Sequence, residues 1–205
     1  LYRDEAVPCL DPIPLVQRKR PPVIPSQTTE ALADRRPGAD DSTATISVMN
    51  VYDADQPWPE GTEIKALRIV QLFPKTTRQA AIPKIGAGDQ SLARGVLGTV
   101  PVEDDGSAYF EAPAGLPIYF QALDEKGMAV HSMRSLTYVH RGEKLTCQGC
   151  HEDKNRSVAN QVKAMPKALK RTASKIQPDV EGSWPLTFAR LVQPVVDKKC
   201  AGCHA

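Results

Sequence analysis

The chain has 205 residues, enough for one good-sized domain or two small ones, with 41% hydrophobic residues to fill a core but only 5% aromatic. A formal net charge of +2 gives no global electrostatic case for nucleic acid. No run approaches the ~18 consecutive apolar residues of a membrane-spanning helix, and Leu1 opens no charged-then-apolar leader, so the chain reads as a processed or excised piece of something longer.

Residues 1–44 hold seven of the 18 prolines, with Pro21, Pro22 and Pro25 following the basic Arg18, Lys19 and Arg20. Proline fixes φ and removes a donor, so this segment is expected to be an extended arm. From about Ala44 the pattern changes to short β-rich runs at Thr45–Tyr52, Ile64–Phe73, Gly95–Val102, Ser107–Ala112, Ile118–Leu123, Met128–Met133 and Leu136–His140. Short strands separated by turn signals predict a mainly β fold, an immunoglobulin- or transthyretin-like sandwich over 45–146. Ala108, Phe110 and Ala112 alternate onto one face, as do Ile118, Phe120 and Ala122. Asp105-Gly106 and Asp124 to Gly127 are each expected to turn a hairpin, and the stretch from Thr76 to Arg94 a loop.

The sandwich runs into Cys147-Gln148-Gly149-Cys150-His151, and the same pattern returns as Cys200-Ala201-Gly202-Cys203-His204. Two thiols three positions apart reach the two vinyl groups of one porphyrin, and the histidine after the second lands under the iron. A zinc ribbon separates its Cys pairs by roughly 15 to 20 residues, far less than the distance from Cys150 to Cys200, and leaves the histidines unexplained. A redox dithiol or a disulfide needs no histidine at either site. The expectation is two covalent haem c groups on Cys147, Cys150, Cys200 and Cys203, over a haem-binding segment at 147–205. Haem is joined to this motif outside the reducing cytosol, which implies a periplasmic-type or extracellular compartment and leaves Cys9 as a fifth thiol.

Between the motifs, Val158, Val162, Met165 and Leu169 form a helical stripe that Pro166 would kink or end, with Met165 read as core. Seven cations from Lys154 to Lys175 stand with no acid among them; they read as a solvated helix face, with haem propionates or an acidic redox partner as the other use. Ser183 can cap a helix beginning near Pro185, apolar at Leu186, Phe188, Leu191, Val192 and Val195, that leads into the second motif.

Besides His151 and His204 the chain has only His131 and His140, the number needed to close two irons as bis-histidine centres. All four are candidate iron ligands, and Met128, Met133 and Met165 are alternatives to the latter two.

The run VLGTVPVEDDGSAYFEAPAGLPIYFQALDEKG, with SMRSLTYVHRGEKLTCQGCHE after it, resembles the middle domain of the hydrazine synthase alpha subunit family, and FARLVQPVVDKKCAGCH is similar to the start of the cytochrome c domain that follows there. The resemblance runs from about Ala44 to Ala205 and leaves out the family's N-terminal propeller. It implies a sandwich with haem on Cys147 and Cys150 and a second haem on Cys200 and Cys203. In that family a tyrosine four residues after the first motif histidine ligates iron; here the position is Asn155, and an amide cannot supply a phenolate.

An electron-transfer haem keeps both axial positions filled, and a haem enzyme leaves one open. The histidine inventory favours a dihaem c-type cytochrome for electron transfer; the alternative is a haem enzyme related to the hydrazine synthase alpha subunit. The partners expected are redox proteins and other copies of the chain. The second motif stands one residue from Ala205, so a lid and ligand from a neighbouring copy would make a head-to-tail homo-oligomer or filament. No membrane span is expected.

Overall fold

The structure, a computed structural model, describes residues 16–20, 22, 43–150, 164–180 and 188–203. Seven strands, β1 (Thr43–Val48), β2 (Ala66–Phe73), β3 (Ala93–Pro101), β4 (Ala108–Pro113), β5 (Ile118–Leu123), β6 (Ala129–Ser132) and β7 (Lys144–Cys147), form two sheets. One has the order β4-β1-β7 and the other β3-β2-β5-β6. The sandwich expected from alternation is therefore present. Strand β4 shows why: Ala108, Phe110 and Ala112 point inward while Tyr109, Glu111 and Pro113 stand half out.

Between the sheets lie Ile46, Leu67, Ile69, Leu97, Phe110, Ile118 and Val139, all fully buried. Phe110 meets Phe120 edge to face across the layers, centroids 5.7 Å apart. Each such side chain contributes roughly 1.5–3 kcal/mol on leaving water, and together they fix the register of β1 to β5.

Two local expectations are corrected and one holds. Asp105-Gly106 does not turn a hairpin, because β3 and β4 belong to different sheets. The tight turn from Glu103 to Gly106, closed by the Gly106 N–H donating to the Glu103 carbonyl at 2.9 Å, carries the chain across the sandwich. Asp105 Oδ1 accepts from the Ser107 N–H at 3.0 Å and from its hydroxyl, and Gly106 holds φ at 81° against Asn50 and Tyr52. Asp124 to Gly127 does turn a hairpin between β5 and β6. The run Leu136–His140 is not a strand: Thr137 alone pairs, with Ile118, and Val139 alone is buried. The seventh strand is β7, four residues further on, and it pairs in parallel with β1.

Residues 164–180 form a strap rather than a helix over one side of the sandwich. A 3-10 turn, Lys167–Lys170, starts after Pro166, and Ala168 is its buried residue. Ser174 then pairs with Phe110 on the β4 edge and Gln177 with Thr99 on the β3 edge, so one segment covers an edge of each sheet. At Gly98, whose φ is 140°, a Cβ would strike the Gln177 backbone. Met165 is 62% exposed and is not core, while Val158 and Val162 lie outside the described residues. Among the described residues, Lys167 Nζ meets Asp104 at 2.5 Å and Arg171 Nε meets Glu103 at 2.7 Å, so these two cations have acidic partners within the chain.

Phe188–Val192 forms a π-helical turn, and α1 (Gln193–Lys199) continues it. Phe188, Val192 and Val195 are exposed, whereas the proposed cap Ser183 and Leu186 lie outside the described residues. No helix among the described residues is long and apolar enough to cross a membrane.

Candidate functional site

The strap covers the β4 and β3 edges, and the opposite side of the sandwich, where β7 and β6 are the edges, opens into a cavity of about 350 Å³. Val48, Phe120, Ala122, Met133 and Leu136 give it apolar walls; Cys147, Gly149, Cys150 and His131 also line it, with the hydroxyl residues Ser135, Thr137 and Thr146. Cys147 and Cys150 are half-buried.

His131 reaches this cavity through a defect in the ladder. Near the hairpin Leu123 pairs with Ala129, but the next pairs are Ala122 with His131 and Gln121 with Ser132, so Val130 is an extra residue. An uninterrupted ladder would place His131 opposite Gln121, on the outer face. The bulge instead sets it beside inward-facing Ala122, with Nε2 buried.

The thiols are held from β1. Parallel pairing sets Val48 beside Cys147, and beyond the strand the Met49 N–H donates to the Cys147 carbonyl at 2.9 Å and the Asn50 N–H to the Gln148 carbonyl at 3.1 Å. The Gln148 amide donates to Asp53 Oδ2 at 3.2 Å. Gly149 is required here by contact rather than by φ: a Cβ would sit 2.8 Å from Asp53 Cβ and closer still to its carbonyl oxygen.

His140 is elsewhere. It is exposed in the turn before β7, with its backbone N–H donating to Glu143 Oε2 at 2.7 Å, Nδ1 3.1 Å from the same oxygen, and its ring edge-on to Tyr138 at 5.3 Å. The His140 N–H, more than the ring, holds the Glu143 carboxyl below its usual range. Cys200 and Cys203 are exposed just beyond α1. The motif histidines His151 and His204, Asn155, Cys9 and most of the proline-rich arm lie outside the described residues. Of the methionines considered as ligands, Met133 lines the cavity and Met128 is exposed like Met165. The bulge at Val130 and the loop after β1 were missed by sequence reasoning; Gly149 was visible only as a motif spacer.

Residues 62–152, which include Cys147, Cys150 and every lining residue of the cavity except Val48, match the family described as the hydrazine synthase alpha subunit middle domain. Over these residues the chain is similar to that domain. It is 31% identical over 103 residues to the hydrazine synthase subunit alpha of Kuenenia stuttgartiensis, an alignment covering 43% of this chain and 13% of that one. The solved Kuenenia stuttgartiensis hydrazine synthase shares the fold, with a TM-score of 0.56 at 24% identity over 79% of this chain and 30% of that one. The chain thus spans about an eighth of the curated alpha subunit.

Proposed function

We propose that the chain is a haem c protein for electron transfer, with one haem on Cys147 and Cys150 in the β6–β7 cavity and a second on Cys200 and Cys203. One juxtaposition carries the reading: His131 lines the same cavity as the two motif thiols. The residues fit the group, with thiols at the spacing thioethers need, apolar walls for the porphyrin faces and a half-buried imidazole. Haem c bound there supplies a one-electron iron couple.

In this reading Cys147 and Cys150 would anchor the ring, and His151 and His131 would hold its iron, His131 keeping small ligands out. Val48, Phe120 and Met133 exclude water, which raises the cost of added charge and so tunes the potential. His140 is assigned to the second iron with His204; a carboxylate at Nδ1, as Glu143 provides, is the arrangement that orients a histidine toward a metal. The exposed Phe188, Val192 and Val195 support burial of that haem's surroundings against redox partners or further copies of the chain, in a periplasmic-type or extracellular setting.

A second reading, a haem enzyme related to the hydrazine synthase alpha subunit, is favoured by the family match through residue 152. It needs an axial position open to substrate. The reduced protein with and without carbon monoxide separates the two. Electron transfer requires an unchanged spectrum, with His131→Ala opening one iron; immediate carbon monoxide binding by the unaltered protein would transfer the assignment to the enzyme. Intact mass should show two covalent haems.

A further inference from the structure

The imidazole of His131 stands on an edge strand of four residues whose ladder is broken by a bulge. Backbone pairing places its Cα but does not by itself set χ2, a broad torsion in histidine. Side-chain neighbours bear on the ring plane. Trp58 is one of them: its ring meets His131 edge-on, centroids 5.5 Å apart and planes at 63°. Behind it Tyr52 packs at 6.0 Å and 73°, and the Tyr52 hydroxyl is fixed by accepting the Ile64 N–H at 2.9 Å.

Trp58 lies between Pro57 and Pro59 in the loop joining β1 to β2, which limits its backbone, and its indole Nε1 is buried with no hydrogen-bond partner among the described residues. The same loop begins with Met49 and Asn50, whose N–H groups hold the Cys147 and Gln148 carbonyls, and with Asp53, whose carboxylate accepts from the Gln148 side chain. One segment therefore grips the thiols at its start and the histidine at its end.

We propose that Trp58 is a positioning residue for the first haem: it fixes the imidazole plane of His131 so that this ring faces the group bound at Cys147 and Cys150. The inference rests on His131 being an axial ligand, as proposed above. In the full-length protein with haem attached, His131→Ala identifies the carbon monoxide signal of the first iron. Trp58→Leu, with haem content by mass unchanged, should raise the rate of carbon monoxide binding to that iron at least tenfold and lower its low-spin fraction, and Trp58→Phe should restore most of both. Should Trp58→Leu fail to accumulate, Trp58→Met fills the space without a ring and carries the same expectation. If His131→Ala opens the iron and neither aliphatic variant changes rate or spin state, the positioning role is wrong while the ligand assignment stands. If His131→Ala itself changes nothing, the ligand assignment falls and the role of Trp58 with it.

Discussion

The two motifs share a glycine before their second cysteine, and the structure makes opposite demands on the two positions. At Gly149 an added methyl meets the backbone of Asp53, which cannot swing aside as a flexible side chain would; at Gly202 it meets nothing within 4 Å among the described residues. Forcing a methyl into a packed contact costs about 1–3 kcal/mol. Relief by moving the loop would strain the bonds from Met49 and Asn50 to Cys147 and Gln148, each worth about 1 kcal/mol. Gly149→Ala is therefore expected to destabilise the fold by about 2–4 kcal/mol, and Gly202→Ala by less than about 0.5 kcal/mol. For a chain of this size each kcal/mol moves Tm by about 2–4 °C, so the first variant should melt roughly 4–16 °C lower and the second should track the parent. Differential scanning calorimetry, with haem stoichiometry checked by mass, reads both. Equal shifts for the two alanines would refute the claim that the first motif is clamped by the loop after β1.

Cutting the strap's guanidinium by Arg171→Met removes donors to Glu103, to the Tyr109 and Thr172 carbonyls and to Ser174 Oγ; with both ionic partners about one-third exposed, a loss of about 1–2 kcal/mol is expected in urea denaturation, with faster proteolysis within 164–180. The Glu143 carboxyl is depressed in the folded state, so it stabilises the protein above its ordinary pKa and that contribution is lost as pH falls through the lowered folded value; the stability gap between parent and Glu143→Gln should close across that acidic window in pH-dependent denaturation. His140→Ala should leave the first haem's carbon monoxide behaviour untouched, since His140 does not line the cavity, whereas His131→Ala should change it.

Strands whose residues alternate were legible because each buries one face in a shared core: β4 and β5 match their expected runs closely. What escaped depends on partners remote in sequence. Asp105-Gly106 has the turn chemistry of a hairpin, and nothing local says that the strands it joins part into separate sheets. β7 is four residues paired in parallel with a strand about a hundred residues earlier, and its half-exposed pattern carries little hydrophobic signal. Leu136–His140 has the composition of a strand, yet only Val139 is drawn inside. Of the site, the cysteines were legible from covalent chemistry and His131 from counting histidines. The cavity that separates His131 from His140 depends on a one-residue bulge with no sequence signature, and Trp58 gave no sign at all.

Pairing of β1 with β7 also bears on when the site can close. Ser47 and Thr146, whose hydroxyls meet at 2.9 Å, are 99 residues apart, so this ladder closes one of the longest loops in the domain. Synthesis proceeds from the N-terminus, and β1 through β6 all precede Cys147 in the chain. A sheet of four strands and a two-stranded β4–β1 ribbon can therefore stand before the thiols arrive, leaving the β1 edge as a vacant berth. Until β7 takes that berth both cysteines remain on an undocked tail, open to whatever chemistry modifies them, and its docking ends that interval.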